Sequence, residues 1–210
     1  MKKGKINQIF EIFFQENSDP KTELNYVNEF TLLVAIVLSA QSTDVGVNKA
    51  TEKLFKVVDN AQKMLELGEE NLKKYINTIG LYNAKAKNVM ALSKTLLEKF
   101  GGKIPDDLDQ LKSLAGVGRK TANVFLNCAR GKETMGVDTH VFRVSNRIGL
   151  TKAANVLQSE LQLIKNIPKK WQKHAHHWLI LHGRYVCKAR KPECGRCKIV
   201  EFCEFKQKNL

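Results

Sequence analysis

The chain has 210 residues, with 35 Lys plus Arg against 21 Asp plus Glu and a formal net charge of +14, which excludes an acidic solubilising or carboxylate-rich metal-buffering protein. At 43% hydrophobic and 27% charged, with 4 Pro and 13 Gly, it is neither a disordered tail nor a collagen-like repeat. Its length supports one or two compact domains, including two helical lobes that share a cleft.

Helical spacing recurs along the chain and no stretch keeps the strict alternation of a half-buried strand, so the sequence predicts a nearly all-α protein. Ile6, Ile9, Phe10 and Phe13 form a first apolar stripe, interrupted at Asp19-Pro20. The basic N-terminus soon meets Glu11, Glu16 and Asp19 and lacks a clean apolar segment, which argues against a secretion signal. The run from Phe30 to Leu38 is nine residues, short of the eighteen or more needed to cross a bilayer, and reads as a buried helix. Ser42, Thr43 and Asp44 offer caps for a helix carrying Val47, Ala50, Leu54 and Val58. Leu72, Tyr75, Ile76 and Ile79 make a stripe ended by Gly80; Val89, Leu92, Leu96 and Phe100 make another, stopped at Gly101-Gly102. Pro105 is placed to open a helix with Leu108, Leu111 and Leu114 on one face. Later stripes are Val141, Val144 and Ile148, then Ala154, Leu157, Leu161 and Ile164, then Trp171, Ala175, Trp178 and Leu179. Such stripes are ordinary core packing.

Between these last two groups of helices, Leu114-Ala115-Gly116-Val117-Gly118 breaks the helix and Arg119 to Ala129 restarts it. Two glycines let backbone approach a ligand closely, and successive N–H groups at a turn and helix N-terminus suit one phosphate. The glycines are two apart, so this is not a Walker A loop. A plain helical turn is the alternative; the basic surplus favours a phosphate backbone. Lys120, in the first turn of the restarted helix, either strengthens phosphate binding or serves as an amine nucleophile that forms a Schiff base. Asp138, in Val137-Asp138-Thr139-His140, either caps the next helix or activates an attacking group, and the two roles can coexist.

Of five cysteines, Cys128 stands alone and reads as a core residue, while Cys187, Cys194, Cys197 and Cys203 give the spacing C-x6-C-x2-C-x5-C. That distribution suits metal binding in a reducing compartment better than disulfides. Four thiolates can hold zinc or an iron–sulfur cluster, and spacing alone does not choose. Between Leu161 and Pro192 there is no Asp or Glu but eight Lys plus Arg, among them Lys188, Arg190 and Lys191. This stretch is a solvated face or one wall of a duplex-binding surface. His174, His176, His177 and His182 read as packing or phosphate-side hydrogen bonding rather than a second metal site.

Together and in this order, Leu38-Ser39-Ala40-Gln41-Ser42-Thr43-Asp44, the hairpin through Lys120, Val137-Asp138-Thr139-His140 and the four cysteines resemble the endonuclease III family of DNA glycosylases and apurinic/apyrimidinic lyases, over about Asn17 to Phe205. The resemblance implies a two-lobed helix-hairpin-helix DNA glycosylase fold, with a six-helix lobe at 22–132 and a second lobe, 1–21 plus 133–210, carrying one 4Fe-4S cluster on the four cysteines. It implies a bifunctional enzyme that removes oxidised pyrimidines from damaged double-stranded DNA: Lys120 attacks the sugar, expels the base and forms a Schiff base, and elimination breaks the strand on the 3′ side. Asp138 matches the essential carboxylate. Gln41 and Leu81 match regions that fill or probe the vacated stack, against the plainer readings of helix-end polarity and packing. Gly116, Val117, Gly118, Arg119 and Lys191 are the expected DNA contacts. A monomer is implied, without membrane or obligate protein partner, in the cytoplasm at the nucleoid of a bacterial-type cell.

Ala115 departs from the proline that many relatives place there, which leaves the turn less pre-set but keeps both glycines. A related adenine-removing branch carries an acidic residue just before the position of Gln41 and generally lacks the lysine; Thr31 to Thr43 holds no carboxylate and Lys120 is present. The readings that remain beside the bifunctional one are a monofunctional glycosylase using activated water and a non-catalytic DNA-binding metalloprotein.

Overall fold

A computed structural model describes residues 1–210. It contains eleven α-helices and no strand, and the chain divides into two compact units, Glu23–Arg130 and Met1–Thr22 with Gly131–Leu210. The first helix, α1 (Lys3–Glu16), buries the predicted Ile6, Ile9, Phe10 and Phe13.

Seven helices fill Glu23–Arg130: α2 (Glu29–Leu38), α3 (Asp44–Leu54), α4 (Ala61–Leu67), α5 (Glu69–Ile76), α6 (Tyr82–Phe100), α7 (Leu108–Lys112) and α8 (Arg119–Arg130). That is one more than the resemblance implies, because Gly68, at φ +77°, divides α4 from α5. The sequence stripes do not reveal α4. Only Ala61 and Met64 of its seven residues are buried, too few to register as a period, and its signal is the Asn60 cap that accepts from the Lys63 N–H at 2.9 Å. Buried along its whole length from Phe30 to Leu38, α2 forms the axis of this core. It starts at a reciprocal cap in which Asn28 Oδ1 accepts from the Thr31 N–H and Thr31 Oγ1 accepts from the Asn28 N–H. Three boundaries differ from expectation. Val58 and Ile79 lie beyond the ends of α3 and α5 yet remain buried. Pro105 stands ahead of α7, which opens instead at Asp107, whose carboxylate accepts from the Asp109 and Gln110 N–H groups.

Gly131–Leu210 adds α9 (Thr139–Ile148), α10 (Val156–Asn166) and α11 (Lys169–Tyr185). Together with α1 they enclose a second core in which Phe10 and Phe13 pack on Trp178, with ring centroids 6.0 and 6.4 Å apart. Two buried indoles are satisfied across this packing: Trp171 Nε1 donates to Asn7 Oδ1 at 2.9 Å and Trp178 Nε1 to the Asn17 carbonyl at 2.8 Å. The stripe of α10 is a correction. Leu157, Leu161 and Ile164 are exposed, while Ser159, Glu160 and Leu163 face inward. The inner face can be polar because Ser159 Oγ lies 3.3 Å from Ser145 Oγ on α9, which also takes a hydrogen bond from Thr151 Oγ1.

Candidate functional site

The break between α7 and α8 is built by glycine geometry. Gly116 sits at φ +77°, and a Cβ there would meet Asn88 Cβ at 3.0 Å and Val37 Cγ1 at 3.1 Å, so only glycine lets the hairpin lie against α2 and α6. Val117 is buried and its N–H donates back to the Leu114 carbonyl at 3.1 Å. Gly118 is different: nothing lies within 4 Å of its Cβ direction. Gly116, Gly118, Arg119 and Lys120 are exposed. The hairpin thus anchors through Val117 and presents two glycines, an arginine and a lysine at the first turn of α8, where backbone N–H groups and the dipole favour an anion.

Gln41 and Leu81 are the only non-glycine residues of the chain with positive φ, at 55° and 59°, a conformation costing a side-chain-bearing residue about 1–2 kcal/mol. Both are exposed, Leu81 to 61%. Gln41 lies in a turn after α2, closed by the Ser42 N–H donating to the Ser39 carbonyl at 3.0 Å. Leu81 occupies the N-cap of α6, where leucine supplies no side-chain acceptor. An exposed leucine held left-handed at a cap serves neither packing nor capping. Strain of this kind points to function.

Asp138 belongs to the other unit. It is half-buried at the N-cap of α9, and its Oδ1 accepts from the Val141 N–H at 2.8 Å. The cap engages only that oxygen. Along α9 follow Arg143 and Arg147, one turn apart. Arg143 donates through Nη2 to the carbonyls of Gly183 and Cys187, at 2.8 and 3.1 Å; Arg147 donates to the carbonyls of Lys188 and Ala189, each at 2.8 Å, and approaches Cys187 Sγ at 3.7 Å. These two arginines tie the helix that Asp138 caps to the start of the cysteine segment. Apolar stripes do not reveal them, although their spacing of four on an amphipathic helix is the signal that would.

Cys187, Cys194, Cys197 and Cys203 line one pocket with Ile148, Val186, Ile199 and Val200. Successive turns fold the segment: Cys197 N–H to the Cys194 carbonyl, Val200 N–H to that of Cys197 and Cys203 N–H to that of Val200. Glu193 pairs with both Lys188 and Arg196. Burial in this apolar pocket pushes the Cys197 thiol up to about 11 and raises that of Cys203, so a cation is required to hold them as thiolates at neutral pH. Four thiols lining one pocket are the donor set of a thiolate-bound metal group. His182, which the sequence did not single out as a neighbour of this pocket, lies 3.7 Å from Cys197 Sγ. His176 and His177 are buried, and burial pushes the His177 imidazole down to about 4, so it is neutral and part of the core. Lys188, Arg190 and Lys191 are exposed on the same segment. Cys128 packs against the other core, where burial pushes its thiol up to about 12.

Residues 34–172 match the HhH-GPD superfamily of base excision DNA repair proteins, and residues 187–203 match the iron-sulfur binding domain of endonuclease III. Endonuclease III of Rickettsia conorii is 59% identical over 200 residues, covering 95% of each chain. That of Escherichia coli is 52% identical over 208 residues, covering 99% of each. Among solved structures, a trapped endonuclease III–DNA covalent intermediate superposes with a TM-score of 0.90 at 41% identity, covering 97% of this chain and 96% of the other. A thermostable thymine-DNA glycosylase shares the fold at 21% identity, with a TM-score of 0.83.

Proposed function

The chain belongs to the endonuclease III family of base excision DNA repair proteins, and on that footing we propose that it is a bifunctional DNA N-glycosylase and apurinic/apyrimidinic lyase acting on oxidised pyrimidines in duplex DNA. The observation that carries the reading is an exposed lysine opening α8 directly behind a phosphate-sized glycine hairpin, in a chain 41% identical to a protein trapped covalently on DNA.

Each residue has a task in that reaction. Backbone N–H groups at Gly116, Gly118 and Arg119 hold a phosphate while Val117 anchors the turn, and Arg119 and Lys191 add charge; these contacts position the duplex without reading its sequence. The damaged nucleotide leaves the stack at a cost of a few kcal/mol, less where damage has weakened its pairing, and Gln41 and Leu81 occupy the space it leaves. Lys120 Nζ attacks C1′, the bond from C1′ to the base breaks, and the base departs with a proton. Asp138 Oδ2 takes the proton released by the attacking amine and returns it to O4′ as the ring opens, while the departing base takes its proton from water. The sugar ring opens to a Schiff base, a proton leaves C2′, the bond from C3′ to oxygen breaks, and water then frees Lys120.

The four cysteines hold a 4Fe-4S cluster in this reading. Bound there, the cluster cross-links the segment that bears Lys191, and no bond cleavage passes through it. The protein works as a monomer on nucleoid DNA, with the hairpin and Lys120 on one unit and Asp138 and the cysteines on the other. No helix is long and apolar enough to cross a membrane. Borohydride reduction in the presence of a duplex with one oxidised pyrimidine tests the assignment: the protein is captured covalently, and Lys120→Gln abolishes capture while retaining duplex binding. Undiminished capture by Lys120→Gln removes the assigned nucleophile; base release with no capture transfers the chemistry to an activated water.

A further inference from the structure

Lys85 is 4% exposed, in the first turn of α6. Its ammonium makes one hydrogen bond, to Ser42 Oγ at 2.7 Å, across 43 positions of sequence. No carboxylate pairs with it, and burial alone lowers its proton affinity. A buried cation with a single neutral partner is a poor way to stabilise a core, since desolvation of the charge is barely compensated.

Its position supplies a reason. The Lys85 N–H donates to the Leu81 carbonyl at 3.0 Å, so its backbone is fixed to one left-handed residue. Its side chain is fixed to Ser42, which follows the other left-handed residue, Gln41, and closes the turn that contains it. The two backbones also approach: a Cβ on Gly80 would lie 4.0 Å from the Gln41 carbonyl oxygen. We propose that Lys85 is a positioning residue that clamps the Gln41 turn to the Leu81 cap, so that the two exposed side chains enter the duplex as one rigid unit. The inference rests on the roles given above to Gln41 and Leu81. Two side chains on separate turns must hold their mutual geometry to about 0.5 Å to fill one gap, and neither turn alone contains a contact that fixes the other. The Lys85 to Ser42 bond is the polar contact between them. Because the clamp acts before any bond breaks, it governs unstacking and leaves phosphate binding and the amine chemistry untouched.

The test compares the full-length metalated protein with Lys85→Met, which keeps length and removes the charge, Lys85→Arg, which restores a donor, and Ser42→Ala, which removes the acceptor. The probe is a duplex with one thymine glycol beside 2-aminopurine, whose fluorescence rises on unstacking. Both Lys85→Met and Ser42→Ala are expected to cut the fluorescence rise at least threefold and slow single-turnover base release about tenfold. Duplex affinity stays within twofold, the melting temperature is not lowered, and borohydride capture on a duplex whose base is already missing slows by less than threefold. Lys85→Arg recovers part of the fluorescence rise. Fluorescence and base release within twofold of wild type in Lys85→Met overturn the clamp, as does a uniform loss in all readouts with a lowered melting temperature that Ser42→Ala does not share. A wild-type protein that unstacks the lesion but breaks no bond overturns the enzymatic reading, and the fluorescence comparison still decides the clamp.

Discussion

At Asp138 the cap and the proposed proton transfer fall on different oxygens of one carboxylate. Oδ1 caps α9 through the Val141 N–H, a contact worth about 1 kcal/mol, and Oδ2 is left for proton transfer. Asparagine also accepts at Oδ1 but cannot take a proton at neutral pH. Asp138→Asn is therefore expected to melt within about 2 °C of wild type and to lose at least a hundredfold in single-turnover base release. Asp138→Ala loses the same activity and about 1 kcal/mol of stability by denaturant titration. An active Asp138→Asn protein reduces the carboxylate to a cap. Such a separation is invisible in the sequence, where Val137-Asp138-Thr139-His140 supports either role equally. The left-handed backbone at Gln41 and Leu81 is likewise unreadable there, because neither residue type signals positive φ.

Among the elements, the hairpin between α7 and α8 assigns unlike tasks to two glycines that look alike in sequence. A methyl group at Gly116 would collide with Asn88 and Val37 at a φ that disfavours any side chain. Gly116→Ala is expected to cost about 2 kcal/mol or more, read by urea denaturation. Gly118 has open space around it and no positive φ, so Gly118→Ala costs less than about 1 kcal/mol in stability while weakening duplex binding severalfold, because the methyl group stands where the phosphate approaches. Equal stability loss in both variants would mean that Gly118 is a packing residue as well. Most helices here are legible from apolar spacing, as α1, α2 and α11 show, since their stripes are the buried faces. The exception is α10, whose stripe of Leu157, Leu161 and Ile164 faces outward. Spacing identifies a helix but not the neighbour it turns toward, and there the hydroxyls of Ser145 and Ser159 took the inner face.

At the scale of the whole molecule, the surplus of +14 becomes a matter of placement. The acid-free stretch from Leu161 to Pro192 places its exposed lysines at the end of α10, on α11 and on the cysteine segment. That segment has little regular structure of its own, one short 3₁₀ turn at Cys194–Arg196, and is tied down by Arg143, Arg147 and the pocket of four cysteines. Oxidative removal of the iron-sulfur cluster is expected to raise hydrogen exchange in residues 187–205, with far-ultraviolet circular dichroism almost unchanged because α1, α9 and α11 keep their own core. Duplex affinity falls severalfold with the loss of ordered Lys191. Unchanged exchange in that segment after removal would show that the arginines alone hold it.

Sequence by itself determined the helical class, the glycine hairpin with its lysine, the metal-binding cysteine spacing and the order of motifs that identifies the family. These are local features, carried by residue type and short-range spacing. Tertiary structure decided the strain at Gln41 and Leu81, the burial of Lys85 against Ser42, the outward face of α10 and the hold of Arg143 and Arg147 on the cysteine segment. Each of these depends on which distant residues meet, and burial, strain and hydrogen-bond partnership arise only once the helices have packed.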